Sequence, residues 1–165
     1  MDFTPLFEGS ATGTITHRGL VLHRRFMLGV AEGDVISIRF VSFTAEYVQG
    51  LRVSAQHCQV SVERITGKEL VFWTDTAPEQ VRLTIIEAKG PAALTFINVW
   101  KDRQHKTMLY ALTSSAMHVA HSEAGAMLLR CSDGSGQPNF EDLVVQVTRE
   151  SGSLCRSQAN PNGRP

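Results

Sequence analysis

LLRCSDGSGQPNFEDLVVQV, residues 128–147, holds two alternating apolar runs on either side of a polar, glycine-bearing connection. Leu129 and Cys131 alternate into the connection, and Leu143, Val145 and Val147 alternate out of it. A period of two sends successive side chains to opposite faces, so one face of each run lies on a core and the other meets solvent. Asp133-Gly134 and Gly136 supply turn chemistry, because glycine adopts positive φ and aspartate bonds its own backbone. The stretch therefore reads as two β-strands joined by a loop that carries Asp133, Asn139, Glu141 and Asp142. That oxygen-rich loop is the first candidate for a site.

The same alternation recurs along the chain. Residues 1–10 read as an irregular lead-in, with Phe3, Leu6 and Phe7 available to dock on a domain. Residues 12–17 and 20–28 are expected strands around a tight turn at Arg18-Gly19. Gly33-Asp34 opens residues 35–43, where Ile36, Ile38 and Phe40 face one way and Ser37 and Arg39 the other. Gly50 interrupts the pattern before residues 51–55. Residues 59–65 and 69–73 flank Thr66-Gly67-Lys68, which is a hairpin signal. Pro78 breaks the chain again, since it lacks an amide donor and constrains Ala77. Val81, Leu83 and Ile85 alternate in the next run, which Lys89-Gly90-Pro91 ends. Residues 93–100 place Leu94, Phe96, Asn98 and Trp100 on one side. A charged connection, residues 101–106, leads to runs at 107–112 and 116–120.

About ten or eleven short strands at this spacing, with no capped helical periodicity and no internal repeat, predict an all-β fold: an antiparallel β-sandwich of jelly-roll type. Residues 11–150 form the sandwich domain, residues 1–10 its lead-in, and the polar stretch 151–165, SGSLCRSQANPNGRP, a disordered tail. A chain of 165 residues, 42% of them hydrophobic, suffices for one domain with a substantial core. Sixteen basic residues balance sixteen acidic ones, which removes the usual electrostatic argument for nucleic acid or an anionic membrane as partner. The opening residues show no basic region followed by an apolar core, and no apolar run approaches the roughly 20 residues of a membrane helix. Cys58, Cys131 and Cys155 have no CxxC spacing, which predicts free thiols and a reduced, cytoplasmic setting.

Three fragments resemble, in order, the bacterial calcium-dependent galactose-binding lectins and the wider galactose-binding-like sandwich. They are Gly33-Asp34-Val35-Ile36-Ser37-Ile38, then Phe72-Trp73 followed by Ala77-Pro78, then residues 128–147. The resemblance implies a Ca²⁺ site in the loop after a late strand, with Asp133 at the aspartate ligand position and Asn139 near an asparagine one. The family's paired asparagines are absent here, since Pro138 and Phe140 flank Asn139.

The residues themselves allow two readings of that loop. Ca²⁺ takes roughly six to eight hard oxygen ligands, and Asp133, Asn139, Glu141 and Asp142 offer several, helped by Asp75 or Asp102 if those loops converge. Alternatively, Asp133 and Asn139 make turn hydrogen bonds while Glu141 and Asp142 are solvated. His118 and His121 are three apart and point to opposite faces of a strand, a poor chelate. No Gly-x-Ser-x-Gly elbow and no His-x-His occur, and His57-Cys58 is the one sequence-local pairing of a thiol with a base. Trp73, Trp100, Tyr47 and Tyr110 are large amphipathic rings suited to core packing or to stacking on a sugar or partner, and Trp100 adjoins a charged loop. The expected function is a non-enzymatic binding module that uses end loops, with Trp100, Asp133, Asn139, Glu141 and Asp142 as ligand-binding residues, to hold a protein or carbohydrate partner. Two alternatives remain open: a metal-dependent enzyme or metalloprotein using His118, His121 or the acidic loop, and a structural subunit of a homo-oligomer.

Overall fold

The computed structural model describes residues 1–44, 46–101, 114–122, 125–134 and 137–151, and the backbone alone at 108–109. Helix α1 spans Thr4–Phe7. It is followed by β1 (Thr14–His17), β2 (Leu20–His23), β3 (Phe26–Val30), β4 (Val35–Phe43), β5 (Val48–Gln56), β6 (Gln59–Val62) and β7 (Ile65–Gly67). Then come β8 (Glu69–Trp73), β9 (Gln80–Ile86), β10 (Ala92–Lys101), β11 (Met108–Leu109), β12 (Ala116–His121), β13 (Met127–Ser132) and β14 (Leu143–Glu150). The chain is an all-β antiparallel sandwich. The larger sheet runs β1-β2-β12-β13-β14-β4-β9-β6-β7, and the smaller runs β11-β10-β5-β8 with β3 also paired to β10.

The two sheets close over one core, and the alternation in the sequence says which side chains fill it. Ile36, Ile38 and Phe40 of β4, Leu83 and Ile85 of β9, and Val145 and Val147 of β14 face Leu51, Val53, Leu94 and Phe96 of the smaller sheet. The buried phase of β4 ends at a β-bulge: Val145 pairs with Phe40 but Val144 with Ser42, leaving Val41 as the extra, exposed residue. Arg149 of β14 caps the far end of this strand cluster. Its Nε lies 2.8 Å from Asp34 Oδ2, and its Nη1 donates to the Gly29 carbonyl at 2.9 Å.

The lead-in is ordered by burial. Phe3 and Phe7 pack with Leu22 and Ala116 in a second apolar cluster, while Leu6 is exposed. The Phe3 amide donates to the Ser114 carbonyl at 3.1 Å, and the Met1 ammonium to the Gly134 carbonyl at 3.1 Å. This lead-in is therefore a helical turn docked on the larger sheet.

Three strand expectations are corrected. The run 20–28 is two strands, because the chain leaves β2 in the larger sheet at Arg24-Arg25 and enters the smaller sheet as β3. The hairpin around Gly67 does not form: β6 turns at Glu63-Arg64 and pairs with β7, whereas β8 crosses to pair with β5. Glu63 takes φ +51, the left-handed conformation that a tight turn needs and that the sequence signals more strongly at glycine. Gly50 lies inside β5 rather than before it. A Cβ there would stand 2.6 Å from Trp73 Cε3, so the glycine admits the Trp73 ring across the strand. The expected run at 107–112 falls mostly outside the described residues, as do Asp102, Tyr110 and the tail from residue 152.

Candidate functional site

One end of the sandwich gathers residues 44, 46–47, 74–79, 114–115, 133–134 and 137–142 where strands β4, β8, β13 and their neighbours finish. Antiparallel sandwiches hold such loops on rigid strand ends, which is why sites are built there. Beneath these loops the strand alternation continues, but with polar side chains. Gln49 precedes Leu51 and Val53 on the inner face of β5, and Asn98 and Trp100 follow Leu94 and Phe96 on that of β10. Gln49 and Asn98 are buried, as are Asp133 and Asp142 at the two ends of the connection between β13 and β14, and the Asn98 amide donates to the Ser132 carbonyl at 3.5 Å.

A short chain of hydrogen bonds joins the group. Gln49 Nε2 donates to Asp133 Oδ2 at 3.2 Å. The Asp133 amide donates to Asp142 Oδ2 at 3.0 Å, so Asp142 reaches back across the loop and holds its entry. Trp100 Nε1 donates to the Asp133 carbonyl at 3.2 Å, and the Ser114 hydroxyl to the same carbonyl at 3.5 Å. Burial pushes the Asp142 carboxyl above the usual carboxylate range, the bond from the Asp133 amide opposes it, and the neighbouring Asp133 charge adds to the rise. Burial also raises the Cys131 thiol far above its ordinary range, with the Asp142 charge second, which makes it an inert core thiol.

Above the polar base lie aromatic rings. Tyr47 packs on Trp100 at a centroid distance of 4.6 Å. Lys101 Nζ sits 4.6 Å over the Trp73 ring and 3.3 Å from Asp75, a cation between a π-face and a carboxylate. Trp73 also borders a groove of about 560 Å³ between the edge of β8 and strands β6 and β9. Phe72, Ala77, Pro78 and Val81 give it an apolar lining, and Glu63 and Arg82 its charged margins.

The structure brings together Trp100, Asp133 and Asp142 from the expected set. It places the other two differently. Asn139 is exposed: its Oδ1 accepts from the Glu141 amide at 2.9 Å, an Asx-turn bond, and its side chain also hydrogen-bonds the Asp142 carboxylate. Glu141 is exposed and pairs with Arg130 on the outer surface. The acidic loop thus splits, with the Asp133 and Asp142 carboxylates turned in, the Glu141 carboxylate turned out to Arg130, and the exposed Asn139 bonded back to Asp142. His118 and His121 leave opposite faces of β12, and the His118 ring nitrogen contacts the Val21 carbonyl at 3.1 Å. Among the described residues no three His, Cys, Asp or Glu side chains cluster.

Gln49 and Asn98 belong to the site but carried no motif. Their signal was a polar residue on the apolar phase of a strand, which in a core demands a partner. Cys58 and Cys131 are free and buried. No helix among the described residues is long and apolar enough to cross a membrane. Comparison with known families, with characterised proteins and with solved structures finds no match to this chain.

Proposed function

We propose that this protein is a binding module that holds an extended segment of a partner protein against the free edge of β8, in the groove beside Trp73. The observation that carries it is the pairing of β8. Among the described residues, the strand bonds to β5 on one side and ends the smaller sheet on the other. Thr74 N bonds Gln49 O, and Ala55 N bonds Lys68 O, so the even-numbered residues of β8 face β5. The alternate residues, Glu69 and Val71, turn their N–H and C=O groups outward, because ladder bonds in an antiparallel strand alternate sides. An unpaired edge is a template for another strand, and main-chain hydrogen bonds supply affinity while neighbouring pockets select side chains. The groove of about 560 Å³ lies along this edge. The unpaired Cys58 and Cys131 thiols are in keeping with a reducing compartment such as the cytoplasm.

A second reading rests on Tyr47 and Trp100. Their packed rings at the loop end, with Lys101 and Asp75 nearby, suit a carbohydrate stacked on an aromatic face.

Selection of displayed random peptides on the native protein, followed by amide chemical-shift mapping, tests the first reading. Peptides that bind should shift Glu69, Val71 and Trp73. Val71→Pro removes one outward N–H without touching the ladder to β5, and should weaken them about tenfold or more if that bond is used. Failure to select any peptide, combined with binding on a glycan array that Trp100→Ala removes, would move the assignment to the carbohydrate reading. A doubled mass in solution that Val71→Pro reverses would instead make the edge a contact between two copies of the chain.

A further inference from the structure

The groove beside β8 also specifies the side chains of its occupant, an inference that rests on the edge-binding reading above. Ladder partners fix the two faces of β8. Leu70 and Phe72 stand opposite Val53 and Leu51 and pack on the core, whereas Val71 and Trp73 stand opposite Arg52 and Gly50 on the outer face of the smaller sheet. The Trp73 carbonyl already accepts from the Thr76 and Ala77 amides at 3.1 and 2.8 Å. Among the described residues, the edge therefore offers an added strand both main-chain groups of Glu69 and of Val71, and the Trp73 amide.

A strand laid there continues the smaller sheet about 4.8 Å beyond β8 and keeps its pleat. Its residue opposite Val71 turns outward with Val71. The two neighbours of that residue, opposite Leu70 and Phe72, turn inward over the larger sheet. What they meet is apolar: Val62 of β6 and Val81 of β9, with Phe72, Ala77 and Pro78 as walls, around a space of about 560 Å³. Charge narrows the choice further. The charged lining residues are Glu63 and Arg82. Arg82 is held by Glu150, its Nη2 donating to Oε2 at 3.0 Å. The Glu63 carboxylate has no ion pair or hydrogen bond among the described residues, and its neighbour Arg64 does not line the groove.

We propose that the segment held at β8 is an amphipathic strand with two large apolar residues two positions apart and a lysine or arginine on the same face. The apolar pair fills the space between Phe72 and the floor of Val62 and Val81, and the basic residue meets Glu63. A wholly polar or acidic strand reaches the same main-chain groups but leaves the floor wet or sets like charges together. The larger sheet has a competing edge on this groove. Ile85 N bonds Asp34 O and Phe40 N bonds Glu79 O, so the odd-numbered residues of β9 face β4 and the even-numbered ones face away. β6 follows β9 only as far as the Ser61–Thr84 pair before turning into β7, which leaves Gln80 and Arg82 with no strand on that side among the described residues. That stretch is shorter than the edge of β8 and is closed by Pro78.

The probe is a capped synthetic peptide, Lys-Thr-Leu-Thr-Leu-Thr-Lys, titrated into the full chain and followed by amide chemical shifts. It should move Glu69, Val71 and Trp73 on β8 and Val62 on the floor. A peptide of the same composition with the leucines adjacent should bind about tenfold or more weakly. Glutamates in place of the lysines should weaken binding about two- to fivefold at low salt and less at high salt, and Glu63→Lys, a change in an exposed turn, should reverse that order. N-methylation of alternate peptide amides should abolish binding in one phase and be tolerated within about threefold in the other. Equal affinity for alternating and adjacent leucines, with Val71 still shifting, overturns the inference and leaves the edge reading standing. So does a charge preference that Glu63→Lys does not alter. Shifts confined to Gln80 and Arg82, or tolerance of N-methylation in both phases, overturn the edge reading and this inference together.

Discussion

Trp100 Nε1 donates to the main-chain carbonyl of Asp133 across 3.2 Å, joining the end of β10 in one sheet to the loop that leaves β13 in the other. The Ser114 hydroxyl reaches the same carbonyl at 3.5 Å, and Tyr47 covers the indole. Replacing Trp100 by Phe keeps most of the ring and deletes the donor. A net loss of about 1 kcal/mol is expected in urea unfolding, the ordinary worth of one such bond. Trp100→Ala should cost more, because the Tyr47 contact goes as well. If the two variants lose the same amount, the ring packing adds nothing to stability, and if neither loses any, the bond contributes nothing either.

Two glycines are held by what stands where a Cβ would go. At Gly50 the obstacle is the Trp73 ring at 2.6 Å, a side chain that can swing away. At Gly134 it is the Ser114 carbonyl at 2.3 Å, and φ is +87. Gly50→Ala should cost about 1–3 kcal/mol and displace Trp73 from Lys101. Gly134→Ala should cost more, since backbone cannot yield and the left-handed conformation adds strain. Gly90, with φ +67 and open space around it, isolates the conformational part, so Gly90→Ala should cost only about 1–2 kcal/mol. Equal losses at all three positions would show that the contacts do not matter.

Phe96 is fully buried and stacks on Phe26 with centroids 6.2 Å apart. Phe96→Ala should cost about 3–5 kcal/mol, whereas Met27→Ala on the neighbouring exposed phase of β3 should stay within about 0.5 kcal/mol. Denaturant midpoints of the two variants check the assignment of faces.

His23 is held below the ordinary imidazole value of 6.5, first by burial and then by the charge of His118. Its Nδ1 lies 3.3 Å from Thr14 Oγ1, its ring meets Phe26 edge-on, and its backbone register partner in β12 is Met117. A base whose folded value is depressed takes up its proton more readily when unfolded. Its contribution is therefore intact above 6.5 and lost as pH falls below 6.5 through the folded value. The melting temperature should drop over that window, and His23→Gln should flatten the drop relative to the parent. An unchanged pH profile in His23→Gln would place the acid sensitivity elsewhere.

The alternating residues of β4, β9, β10 and β14 announced their own burial. Ile36, Ile38, Val81, Leu83, Ile85, Phe96, Val145 and Val147 all lie in the core on the phase that the sequence assigns them. Periodicity succeeds there because a strand's two faces follow from its own residues alone. Partnership does not. The sequence shows strong turn chemistry at Gly67, yet β8 pairs with β5 in the opposite sheet, because pairing is decided by which edges meet after collapse. The acidic loop was legible as a loop, but its four oxygen-bearing residues divide between core and solvent. Asp133 finds Gln49, 84 residues away, while Glu141 finds Arg130 on the adjacent strand. Local chemistry determined the strands, their faces and the place of the loop. Only the stacking of two sheets put Gln49 against Asp133 and Asn98 against the Ser132 carbonyl, because a contact across a sandwich depends on residues that no local pattern connects.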